Sequence, residues 1–234
     1  MYSDTSLPIR EGITSSHQVA LASFIQSGTW FDGVTREKIL KEFRFADRGQ
    51  CELCQKQKAA LSPYTHDGVH DSVTDLPEVI LDVIHRIATD SGRLTESWFK
   101  GVLAKGLLAE EYVEILGCVA TAIVLDTFAM GVGVSLSTPE GTPESTDPPR
   151  TKNPEVVKED AWVPVSERSL ELGPSGLPTV PNIARAMGLV PSAIMQFFPV
   201  MRSHYGLDQL TSDLSRSQTE LIAARTSSYN DCFY

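Results

Sequence analysis

AEEYVEILGCVATAIVLDTFAM, residues 109–130, decides the fold. The run contains no proline, is long for a helix, and becomes apolar nearly all round in its second half, which is the pattern of a helix buried on every side. It predicts the centre of an all-α protein. Its most apolar part, Ile115 to Met130, falls short of the roughly 20 residues a bilayer requires. Thr121, Asp126 and Thr127 also interrupt it, so a core helix is expected and no membrane. Cys118, following Gly117 in the same run, reads as a small core hydrophobe.

Working back towards the N-terminus, Gly106 is a C-terminal stop for a short helix that Thr95 caps and that carries Trp98, Phe99, Val102 and Leu103. Before it, Asp75 with Glu78 three residues on marks a helix start. Val79, Ile80, Val83, Ile84, Ile87 and Ala88 then form one apolar stripe. His85 lies on the flank of that stripe and reads as a hydrogen-bonded structural histidine, although the fold could recruit it as a proton relay. Thr35 opens a further helix bearing Ile39, Leu40, Phe43 and Ala46 at helical spacing, interrupted at Gly49. A short helix is expected over Ser16 to Gln26, with residues 1–15 loose.

Working forward, residues 137–160 are rich in Pro, Ser, Thr and acids without periodicity, and read as a linker or an arm over the surface. AWVPV adds a strand-like segment. Pro181 with Asn182, and Pro191, open two helices, the second with Ile194, Phe197, Phe198 and Met201 on one face. His204 stands at the end of the second, where a cation is favoured by the helix dipole. Ser215 and Gln218 make a capping box for a last helix with Leu221, Ile222 and Ala224 on its apolar side, ending near Asn230. Cys232 follows just past that end.

The 234 residues carry a formal net charge of −10, with 41% hydrophobic and 21% charged residues. That is the balance of a globular protein, and the acidity argues against a nucleic-acid partner, which requires a basic face. The N-terminus has neither the basic start nor the apolar run of a signal peptide, so a cytoplasmic location is expected. Four cysteines without a secretory signal do not suggest a disulfide scaffold.

Two of them, Cys51 and Cys54, have the Cys-x-x-Cys spacing of dithiol redox sites. With His66 and His70 they also give C-x2-C-x11-H-x3-H, which is the donor set of a zinc site. Overall acidity, Gly68 between the histidines and Pro63 in the loop count against a nucleic-acid finger. A structural zinc held by these four, a redox pair, and two plain core cysteines remain open at this point.

The C-terminal text ELIAARTSSYNDCFY, Glu220 to Tyr234, resembles the active-site motif of the AhpD-like alkylhydroperoxidase and carboxymuconolactone decarboxylase-like family. That motif is Glu, eleven residues, Cys-x-x-Cys, three residues, His. Here it is matched by Glu220 and Cys232, and the second cysteine would be the residue after Tyr234. The order of elements around residues 90–134 and the text PNIARAMGLVPSAIMQFF also resemble the family's helical segments. The resemblance implies an AhpD-like helical bundle in two degenerate repeats, 1–136 and 161–234, joined by the Pro-rich stretch 137–160.

A shift of 181 residues supports a repeat, placing Leu40 on Leu221, Arg44 on Arg225 and Cys51 on Cys232. By that register Ile39 stands in place of the glutamate and Lys58 in place of the histidine, leaving Cys51 and Cys54 a pair without relay partners. The function implied is a cofactor-free thiol peroxidase or disulfide oxidoreductase acting on a peroxide, regenerated by a thiol reductant protein, in a homo-oligomer. Cys232 would be in its redox pair, Glu220 its activating base, and Cys51 and Cys54 the counterpart pair. If the natural chain ends at Tyr234, a silent helical oligomerisation protein, with or without zinc at Cys51, Cys54, His66 and His70, is expected instead. No nucleophile elbow, phosphate loop or HExxH accompanies these motifs.

Overall fold

A computed structural model describes residues 1–167, 180–205 and 213–229. Among them are nine α-helices and one two-stranded sheet, the all-α architecture expected from the sequence. Their order is α1 (Glu11–Ala22), α2 (Gly33–Asp47), α3 (Glu52–Ala59), α4 (Glu78–Asp90), α5 (Glu96–Ala104), α6 (Ala109–Gly131), α7 (Asn182–Met187), α8 (Pro191–His204) and α9 (Arg216–Tyr229).

The central helix α6 spans 23 residues, with Leu108 at its N-cap. Leu108 donates its backbone N–H to the Glu111 carboxylate at 3.0 Å. It is the one helix among the described residues long and apolar enough to cross a membrane, and 61% of its most apolar window is buried inside the fold. The sequence reading took this run as too short to span; what makes it a core helix is its burial. It packs against α8 on one side and against α2 and α4 on the other. A side chain on Gly117 would place its Cβ 2.7 Å from that of Ala193, so glycine is what lets α6 and α8 approach.

One hydrophobic core gathers Phe24, Trp30, Ile39, Phe43, Ile84, Phe99, Ile115 and Val119 with Met187, Val190, Ala193 and Val200. The helices on both sides of the Pro-rich stretch therefore share a core. That stretch runs along the turn before α2. Glu144 donates its N–H to the Ile25 carbonyl at 2.8 Å and accepts from Val34 N at 3.1 Å, and Arg150 N donates to the Thr29 carbonyl at 2.8 Å. Further on, β1 (Val156–Val157) pairs antiparallel with β2 (Val165–Ser166), the end of AWVPV.

Several helix ends differ from expectation. α1 begins at Glu11, earlier than Ser16, and passes into a 3-10 turn at Ser23–Ile25. α2 begins at Gly33 because Asp32 caps it, accepting from Thr35 N at 2.8 Å. α4 is not capped by Asp75: Pro77 is its N-cap, Asp75 pairs with Lys38, and Glu78 accepts from the backbone N–H of His70. α9 has the expected Ser215 and Gln218 capping box and ends at Tyr229. Cys232 lies outside the described residues.

Candidate metal centre

Gly49, at φ +70°, turns the chain from α2 into α3. Cys51 is the N-cap of α3 and Cys54 lies in its first turn, so both thiols face one side of a helix start. Asp71 accepts from the Glu52 N–H at 2.7 Å, and Arg93 donates to the carbonyls of Gln57, Lys58 and Ala60 at the other end. α3 is thereby fixed at both ends to the chain that follows it. The segment then returns through a 3-10 turn at Pro63–Thr65 to His70, which faces the cysteines, and α4 contributes His85 from its buried face.

Cys51, Cys54, His70 and His85 are all buried, and their ligand atoms lie within 4.8 Å of one another. Both cysteine sulfurs are 3.5 Å from His70 Nδ1, and Cys54 Sγ is 3.2 Å from His85 Nδ1. The opposite nitrogens face carboxylates: His85 Nε2 is 2.9 Å from Glu42 Oε1, and His70 Nε2 is 3.2 Å from Asp82 Oδ1. Those carboxylates are themselves fixed. Ser72 and Thr74 hydroxyls donate to Glu42 Oε2 at 2.9 and 2.7 Å, and the Trp98 indole donates to Asp82 Oδ2 at 2.8 Å.

Burial works against charge on Cys54, but hydrogen bonds to His70 and His85 outweigh it and bring the thiol down to about 6. Burial also opposes the imidazoliums. Asp82 and the cysteines nevertheless raise His70 to about 10, while Cys54 and Glu42 raise His85 to about 9. Glu42, buried too, is held below the usual carboxylate range by His85, Thr74 and Ser72. The group is therefore built to carry thiolate charge, and it is able to hold a metal ion.

The spacing suits a tetrahedrally bound metal ion. Tetrahedral bonds of about 2.3 Å to sulfur and about 2.0 Å to nitrogen put adjacent S and N donors about 3.5 Å apart. The three separations observed, 3.5, 3.5 and 3.2 Å, approach that value before any adjustment. A metal at Nδ1 leaves Nε2–H free to donate to the carboxylate, the arrangement that orients metal-bound histidines.

Three of the four zinc donors expected from spacing come together. The fourth, His66, does not: it is exposed, and its carbonyl accepts from Gln57. His85 takes its place. Cys51 and Cys54, expected to stand without relay partners, lie beside His70 and His85, whose far nitrogens contact Asp82 and Glu42 from outside the motif register. Glu42 was not singled out in the sequence, although its place three residues after Ile39 puts it towards the buried side of α2. Glu220 sits on α9, accepting from Tyr205 Oη at 2.9 Å and facing Arg216.

Beside the centre, a polar depression of about 260 Å³ is lined by Glu52, Leu53, Lys56, His66 and Asp71 among others. Gly68 covers Leu53 there, with room for a Cβ only at 3.4 Å from its methyl. In comparisons with protein-family profiles, curated proteins and solved structures, the chain matches none.

Proposed function

We propose that this is a zinc-binding helical protein, with one structural ion held by Cys51, Cys54, His70 and His85. The observation that carries the reading is the double orientation of both imidazoles, Nδ1 to the thiols and Nε2 to carboxylates, Glu42 fully buried and Asp82 partly so. Zinc suits two soft thiolates with two imidazoles in a tetrahedron. Four buried protein donors leave no position for water, which supports a structural ion over a catalytic one. The ion would clamp α3 and the chain up to His70 onto α2 and α4. That segment has only a small core of its own, Cys51, Leu53 and Cys54 with Phe45.

Protein purified under reducing conditions without chelator is expected to carry one zinc per chain by elemental mass spectrometry. Cys54→Ala and His85→Ala lose it and His66→Ala keeps it. A reduced chain that takes up no zinc when supplied with it overturns the reading.

A second reading rests on the chain Cys54, His85, Glu42, a thiol in contact with a base that a buried carboxylate orients. It supports an AhpD-like thiol oxidoreductase in which Cys51 and Cys54 form the redox pair, with Glu220 and Cys232 belonging to a second site by resemblance. Peroxide consumption by metal-free protein with a dithiol reductant, abolished in Glu42→Gln, tests it; absence of turnover removes it. Under either reading a homo-oligomer is proposed, supported by Leu221, Ile222 and Tyr229 standing exposed on α9, a helix that buries none of its residues.

A further inference from the structure

The two thiolate donors share the first turn of one helix, and this gives the centre a second state. Cys51 is the N-cap of α3 and Cys54 stands three residues on, both within reach of the same nitrogen, His70 Nδ1. Their sulfurs lie within 4.8 Å of each other, and side-chain rotation can shorten that separation towards a disulfide. His70 and His85 come from other elements and cannot follow. Bonding between the sulfurs therefore removes half the donor set.

Leu53, which packs with Cys51 and Cys54, also lines the polar depression formed with Glu52, Lys56 and His66. That depression admits a small polar molecule.

We propose that the centre is a peroxide-sensitive latch, in which a hydroperoxide converts the two zinc-bound cysteines into a Cys51–Cys54 disulfide, expels the ion and frees the segment from Cys51 to Ser72. The inference rests on the zinc reading. One thiolate attacks the outer peroxide oxygen, forming an S–O bond as the O–O bond breaks, and the leaving alkoxide takes a proton from solvent to become an alcohol. The second thiolate attacks the sulfenic sulfur, forming the S–S bond as the S–O bond breaks, and hydroxide leaves as water with a second proton. The sulfurs lose two electrons together and the hydroperoxide gains them; zinc departs as the divalent ion, unchanged in oxidation state.

Opening follows from the packing. Without the ion, α3 rests on its small satellite core and on the backbone contacts of Arg93 and Asp71, while the main core stays closed under α2, α4 and α6. The released unit is local, and refolding requires only reduction and zinc.

The test uses zinc-loaded, full-length wild-type protein with hydrogen peroxide, reading zinc release with a chromogenic chelator, disulfide position by peptide mapping and amide exchange across the chain. The expected result is one zinc released per peroxide consumed and a mapped Cys51–Cys54 bond. Faster exchange should be confined to residues 51–72, and a phosphine reductant with added zinc should reverse every change. Zinc retained in about tenfold peroxide excess, or released only as the cysteines pass to sulfinic acid, overturns the latch and leaves the zinc reading standing. A reduced protein that holds no zinc at the outset overturns both. Because the wild type is used throughout, no ligand variant has to fold for the answer to be read.

Discussion

Replacing Glu42 by Gln changes one atom in a fully buried position and separates a metal centre from a plain polar cluster. Glu42 accepts from His85 Nε2, Ser72 and Thr74. With zinc on Nδ1, His85 must donate from Nε2, and the glutamine then faces it with either an amide group that clashes donor to donor or a neutral oxygen in place of an anion. Both weaken the ring as a donor, and loss of such a supporting carboxylate costs about 10- to 100-fold in metal affinity. At about 1.4 kcal/mol per tenfold, that is about 1.4 to 2.7 kcal/mol of binding free energy.

Without metal the variant is affected too. The carboxylate that helps Cys54 raise His85 to about 9 is then gone, so the ring loses its protonated form and the metal-free variant is also less stable, which is why the zinc constant and the stability of each form are read separately. Competition against a chelator of known affinity gives the zinc constant, and denaturant unfolding with and without zinc gives the stability of each form. A zinc affinity within about threefold of wild type would refute the assignment of Glu42 as the group orienting a metal-bound histidine.

Glu114→Ala should cost about 3 to 5 kcal/mol in denaturant unfolding, because it leaves the buried Arg36 guanidinium uncompensated and orphans the Thr29 and Trp30 backbone donors. A loss below about 1 kcal/mol would show that the pair is not desolvated as the structure implies. Gly117→Ala should overpack the crossing of α6 and α8 at Ala193, costing about 1 to 3 kcal/mol, and Ala193→Gly in the same chain should return part of it. Burial and the neighbouring His204 hold His17 down to about 4, so the folded protein keeps it neutral where the unfolded chain, near 6.5, is protonated. The stability this gives is complete above 6.5 and is lost as pH falls towards about 4; His17→Asn should flatten that slope, and an unchanged slope would exclude His17 as its source.

The helices were legible because their signals are local. Thr95 caps α5 through Trp98 N, Gly106 ends it at φ +99°, and Ser215 with Gln218 opens α9, each from residues within one turn. Where a polar residue had a distant partner, local reading failed. Glu78 seemed a capping-box member of its own helix, but its carboxylate serves the backbone of His70, and Asp75 is taken by Lys38. The donor set failed in the same way. Spacing selected His66 because it precedes His70 by one helical turn, yet Gly68 lies between them and the chain there runs as a loop. His85 could be placed only once α4 packed against α2, which brings it to Glu42 across 43 residues of chain.

That dependence on packing bears on the chemistry. A thiol, an imidazole and a carboxylate in series serve a redox enzyme and a zinc centre equally well, so the Cys54, His85, Glu42 chain alone does not separate them. The second histidine supports the zinc reading proposed here. A proton relay uses one base, and His70 repeats the arrangement of His85 from the other side, with its own carboxylate Asp82 and with Nδ1 equidistant from both sulfurs at 3.5 Å. Two imidazoles directed at one pair of thiols, each held by a separate carboxylate, put four donors around a common point. Without an ion these donors repel or share protons; with zinc each fills one coordination position, and the anions behind the rings have a purpose that peroxide reduction alone would not require.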